Sequence, residues 1–226
     1  MQVTYYGHSC FLVETNCKKL LFDPFISFNE LAKEIDINSI ECDYILQSHG
    51  HADHIADAVA IAQRTNAKVI CNWEIHEWFN KNGVANTHPM NTGGKWQFDF
   101  GTVKCVVAQH SSSLPDGSYG GNPMGFVVMN GEDNFYYAGD TALTLDMQLI
   151  PNWCNLKTAF LPIGDNFTMD ATDAITASQF IACNNIVAMH FDTFGFIKVN
   201  HEQVVEQFDK AGVQVKLPSV GETFTI

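Results

Sequence analysis

The string His49-Gly50-His51-Ala52-Asp53-His54 decides how this chain is read: four metal-capable side chains fall within six residues. Gly50 and Ala52 are small spacers that let the backbone turn tightly enough for neighbouring side chains to converge. The string follows a short apolar strand at 44–47. It leads into a helical stretch at 55–65 with apolar residues at Ile55, Ala58, Val59 and Ala62, the spacing of one helix face. Borderline cations such as zinc, iron and manganese take imidazole nitrogen and carboxylate oxygen readily. Histidines two apart can grip one ion, while the adjacent Asp53-His54 pair reaches a second. A merely polar turn would crowd the same titratable groups at one strand end with no structural gain.

Outward from the string, segments at 2–6, 10–15 and 19–22 are rich in β-branched and aromatic residues and read as strands. Asp23-Pro24 stops the third. Residues 28–40 are polar enough for a surface loop or short helix. A buried strand at 68–71 and a helix at 74–81, stopped by Asn82-Gly83, complete the first half. Strands resume at 96–100, 102–109, 124–129 and 134–138, interrupted by a glycine-rich loop over 111–122. Helix and strand then alternate at 143–149, 158–162, 172–182, 185–189, 201–211 and 214–216. Both halves run from antiparallel strands into alternating strand and helix. The expectation is an α/β chain, one domain over 1–226, folded as a four-layer αββα sandwich.

Three more candidates close apolar strands, where α/β folds place their chemistry. His110 follows one strand, Asp140 lies in Ala138-Gly139-Asp140-Thr141, and His190 in Ala188-Met189-His190-Phe191. In this order, H-x-H-x-D-H then His, Asp and His, the chain resembles the metallo-β-lactamase superfamily over essentially its whole length. The resemblance implies that His49, His51 and His110 hold one divalent cation and Asp53, His54 and His190 a second, with Asp140 bridging. It implies a hydroxide between the two ions that attacks a carbonyl or phosphoryl centre. Asp53 then orients that nucleophile or carries its proton, and Asp140 fixes the metal separation. Zinc is the first expectation for both ions, with manganese, iron or nickel as alternatives. Gly7-His8-Ser9 and the segment from Leu161 to Met169 look like the ascorbate-6-phosphate lactonase-like branch. That likeness also implies assembly into homo-oligomers.

Other polar residues have weaker claims. His8, in a turn beside Ser9 and Cys10, either lines a substrate pocket or bonds within the turn. Asp165 and Asn166 follow a strand end and contact substrate, orient a ligand histidine, or cap the next helix. His76, His88 and His201 read as surface residues. The loop at 111–122 has the composition of a flap over the site.

Composition narrows the partners. Twelve Lys and Arg face twenty-five Asp and Glu, a formal charge of -13. A field of that sign repels phosphate backbones and anionic headgroups, so neither nucleic acid nor a membrane surface is expected. No signal segment and no membrane-length apolar run are visible. Seven cysteines without a C-x-x-C pair read as reduced thiols in a cytoplasm. The favoured substrate is a small, anionic or cyclic metabolite carrying an ester, lactone or phosphodiester. A nuclease-type phosphodiesterase shares the ligand set but needs a basic groove, and a non-enzymatic metal sensor would tend to have lost ligands. A di-iron oxygen-reducing relative would carry a carboxylate where His51 stands.

Overall fold

The alternation that makes Val3 and Tyr5 apolar buries them on one face of the first strand, and the same period recurs along the sheet that follows. The computed structural model describes residues Met1–Ile226. Its strands are β1 (Gln2–Gly7), β2 (Cys10–Thr15), β3 (Lys18–Phe22), β4 (Tyr44–Leu46), β5 (Lys68–Cys71), β6 (Thr87–Pro89) and β7 (Lys95–Phe98). They continue with β8 (Gly101–Val107), β9 (Met124–Met129), β10 (Phe135–Tyr137), β11 (Thr158–Pro162), β12 (Asn185–Met189), β13 (Gln214–Lys216) and β14 (Thr223–Thr225). The helices are α1 (Ala52–Ile55), α2 (Ala58–Thr65), α3 (Trp73–Lys81), α4 (Ala171–Phe180) and α5 (His201–Lys210).

Two seven-stranded sheets result, ordered β14-β1-β2-β3-β4-β5-β6 and β13-β12-β11-β10-β9-β8-β7. In the first, β1 to β3 are antiparallel and β3 to β6 parallel. In the second, β7 to β10 are antiparallel and β10 to β13 parallel. Between them lie Phe11, Phe22, Phe126, Phe135, Tyr137 and Phe160, with Phe22 and Tyr137 ring centroids 4.6 Å apart. The outer face of the first sheet packs Leu12, Leu21, Ile45 and Val69 against Ile61, Ile75 and Phe79 of α2 and α3. On the other outer face, Ala174 and Ala177 of α4 join Val204 and Phe208 of α5 in the buried core. This is the αββα order read from the sequence.

Several elements differ from that reading. The helix expected over 55–65 is broken at Ala56-Asp57. The Asp57 carboxylate accepts the N–H groups of Ile26 and Ser27 at 2.6 and 2.9 Å, which holds the loop after β3 and ends α1 after one turn. The helix expected at 143–149 is a 3₁₀ stretch, Leu145–Asn152, with Pro151 inside it. Residues 28–40 hold two short 3₁₀ turns, Glu30–Ala32 and Ile37–Ser39. Edge strands β6 and β14, three residues each and no better than half-buried, are not among the strands expected from the sequence. His88, expected at the surface, is half-buried in β6 against Trp96 and Phe98. No helix is long and apolar enough to cross a membrane.

Candidate metal centre

The two sheets meet at one edge, and there the ends of β1, β3, β4, β8, β10 and β12 deliver the candidate residues. The backbone turns sharply as it leaves these strands: His8, Asp23 and His190 all have left-handed φ, at 56°, 41° and 56°. Non-glycine residues held there store strain, and such strain collects at functional sites. The strain at His8 and His190 is shared, because the His190 N–H donates to the His8 carbonyl at 2.8 Å. Gly50 is small for a local reason. A Cβ there would sit 3.0 Å from Leu114 of the following loop.

The ligand atoms of His49, His51 and His110 lie within 4.8 Å of one another, as do those of His8, Asp53, His54 and His190. Asp140 stands between the groups. Its Oδ2 is 2.9 Å from His190 Nε2, 3.3 Å from His54 Nε2 and 3.5 Å from His110 Nε2. Hydrogen bonds fix which imidazole nitrogen His49 and His51 present. His49 donates Nδ1–H to Ser48 Oγ at 2.9 Å, leaving Nε2 free, and His51 donates Nε2–H to Ser111 Oγ at 3.3 Å, leaving Nδ1 free. Those two free nitrogens are 3.1 Å apart.

Burial, together with neighbouring imidazoles, pushes the pKa of His49, His51 and His110 down, which favours the neutral, metal-ready form. Burial acts the same way on His54, but Asp140 and Asp23 flank it and outweigh burial, so its pKa is raised. On Asp140 and Asp53 burial raises the pKa, and the surrounding histidines more than reverse it. The donor set fits a cation on one further ground. His54 Nε2, Asp140 Oδ1 and His190 Nδ1 are buried without a hydrogen-bond partner, and His54 Nε2 faces the centre of the cluster.

Comparison with known proteins agrees. The family described as the beta-lactamase superfamily domain matches residues 18–218. The chain belongs to the metallo-β-lactamase superfamily. A UPF0173 metal-dependent hydrolase of Flavobacterium johnsoniae is 51% identical over 226 residues, all of both chains. The solved structure of Igni18, a metallo hydrolase of Ignicoccus hospitalis, superposes with a TM-score of 0.88 at 33% identity, covering 100% of this chain and 98% of that one. An isothiocyanate hydrolase from Delia radicum gut bacteria shares the fold alone, with a TM-score of 0.80 at 18% identity over 100% and 99% of the two chains. The chain is thus a metal-dependent hydrolase of the superfamily.

Within this metallo-β-lactamase centre, the residue the sequence did not single out is Asp23. It is fully buried and its oxygens take donors from Ser48 N (2.7 Å), Ser48 Oγ (2.5 Å), His54 Nδ1 (2.9 Å), Gln47 Nε2 (3.2 Å) and the Tyr137 hydroxyl (2.8 Å). With that many donors it has no lone pair left for a metal. It sets the His54 tautomer directly and that of His49 through Ser48. The Asp-Pro stop was the only signal in the sequence, and it marked a strand end without a role.

His8 also changes role. It is 1% exposed, and both ring nitrogens are occupied inside the protein: Nε2 lies 3.2 Å from Asp53 Oδ2 and Nδ1 3.0 Å from Thr193 Oγ1. Burial pushes its pKa down to about 3, so the ring carries one proton. The Asp53 carboxylate can only accept, which places that proton on Nε2 and makes Nδ1 the acceptor for the Thr193 hydroxyl. His8 therefore holds Asp53 in place. Asp165 and Asn166 are exposed, with the Asp165 carboxylate accepting the Asn166 N–H at 2.6 Å, and neither bonds a ligand imidazole. Nor do they cap the next helix, since Asp170 caps α4 through the Asp173 N–H. Cys10 is buried in the core with its thiol pushed up by burial.

The loop read as a flap is tied down. Ser112 Oγ accepts the Gly50 N–H at 3.1 Å, Asn72 donates to the carbonyls of Gly120 and Asn122 at 2.7 and 3.2 Å, and Leu114 is buried beside Gly50. Those bonds join it to the metal string.

Proposed function

We propose that this protein is a binuclear hydrolase cleaving a small ester, lactone or phosphodiester metabolite. The observation that carries the reading is the position of Asp140 Oδ2, within 3.5 Å of imidazole nitrogens from both ligand groups. One carboxylate oxygen facing both groups suits a bridge between two ions. His49, His51 and His110 would hold the first and Asp53, His54 and His190 the second, zinc being the first choice. Divalent cations held by these residues would supply an activated water and polarise the oxygen under attack.

The chain's own residues do the rest. Asp140 sets the spacing of the two ligand groups. His8 and Thr193 hold Asp53 so that its carboxylate faces the reaction centre. Asp23 and Ser48 fix the imidazoles of His54 and His49. The acidic surface and the lack of a basic groove beside the centre favour a small molecule over nucleic acid or membrane. Seven free thiols fit a reducing cytoplasm.

The deciding experiment is elemental analysis of tag-free protein after reconstitution with zinc or manganese, followed by a lactone and phosphodiester screen. About two ions per chain with turnover supports the reading. No bound metal under any loading condition overturns it.

A further inference from the structure

An apolar recess lies beside the candidate metal centre. Asp53 and His54 of α1 belong to the cluster, while Ala52, the buried Ile55 and Ala56, the residue that caps α1, line a separate recess. Those three residues, with Phe25 and Phe28 from the loop after β3, Trp78 of α3 and Pro115 of the tied loop, bound a volume of about 430 Å³. That volume is typical of a small-molecule site. No lining residue is charged.

Three features join the recess to the metal centre. Ala52 sits in the chain between His51 and Asp53, one residue from a ligand on either side. Phe25 lines the recess and also meets His8 edge-on, at 5.6 Å between ring centroids. Phe194, from the loop after His190, packs edge-on against His8 at 5.4 Å and extends the apolar wall across the second ligand group. Phe28 is 75% exposed at the mouth, a large aromatic surface left uncovered. The ion pairs of the cluster are all between imidazole and carboxylate, and the recess beside it is lined by apolar side chains alone.

From this we infer that the recess takes the uncharged, apolar portion of the substrate while its carbonyl lies at the metals. The inference rests on the hydrolase reading above and narrows it to neutral esters or lactones with an alkyl or aryl arm. It departs from the anionic metabolite expected from the sequence, because the recess offers hydrocarbon and no cation.

The test uses the whole metal-loaded protein. In a series of p-nitrophenyl esters from acetate to hexanoate, kcat/KM rises by about fourfold per methylene, the ratio for burying one such group, until the recess is full. Alkyl hydroxamates of the same lengths, which chelate metal and are not hydrolysed, tighten along the series in calorimetry. Ala56→Phe, which fills the recess from the back of α1, flattens both series while metal content stays at the wild-type level. Chain-length dependence of the hydroxamates without ester turnover supports the recess and removes the ester reading alone. A flat wild-type series, or one that stays steep in Ala56→Phe, overturns the inference. So does a flat series together with a fall in oligomeric state on Phe28→Ser, which would make the recess a contact between copies of the chain.

Discussion

The two ligand groups on either side of Asp140 are built differently. His54 and His190 of the second group are buried, and His8 behind them is too. Their supports come from the core: Asp23, Tyr137 and the backbone bond between His190 and His8. In the first group His49 is buried, but His51 and His110 are half-open, and His51 is steadied by Ser111 of the loop that follows. One group is part of the hydrophobic interior, and the other faces solvent through a loop. The contrast teaches that two ligand groups sharing one carboxylate need not be equivalent: the inner group is held by the fold and the outer one in part by a loop.

Asp140→Ala removes the residue common to both sides and is expected to take activity below detection with loss of metal from both. Retained metal and turnover would show that the sides do not share this carboxylate. His51→Ala breaks the outer side alone, so metal analysis should fall from about two ions per chain to about one. Loss of both would mean that the inner group depends on the outer.

The expected order of effects was legible because of how the ligands are written in the chain. Four of them occupy one short string, so their convergence needs little more than a turn. His110, Asp140 and His190 each follow an apolar strand that the sequence marks clearly. Asp23 was not legible, because its role depends on donors from residues 47, 48, 54 and 137 arriving around it. The break at Ala56-Asp57 was hidden for the same reason. The helical pattern runs straight through it, and only the distant Ile26 and Ser27 N–H groups show why Asp57 leaves the helix. The short strands β6 and β14 carry too little apolar alternation to stand out from loop.

Acidity separates the sides next. His54 has a raised pKa, so below that value an inner ion must displace its proton, and inner affinity should rise by up to about tenfold per pH unit. The outer histidines are pushed down and already neutral near pH 7, so outer affinity should be nearly flat above neutrality. Metal titrations at a series of pH values read both slopes, and equal slopes would erase the distinction. The smallest effect is expected at the support of Asp53. His8→Ala should weaken the inner ion by about 10- to 100-fold. His8→Gln should recover part of this, since its amide can still donate to Asp53. An unchanged inner affinity in His8→Ala would make its bond to Asp53 incidental.

The first and last strands are neighbours: β14 pairs with β1, and the Met1 ammonium donates to the Ile226 carbonyl at 2.9 Å. During synthesis, then, β1 waits with one edge open until β14 leaves the ribosome, and β12 with His190 also follows long after the histidine string. The outer histidines and Asp140 are made first, yet the inner pocket closes only on a nearly finished chain. Any ion at the inner position would therefore have to wait for β12, and a chain truncated before β14 would expose a bare strand edge to its neighbours.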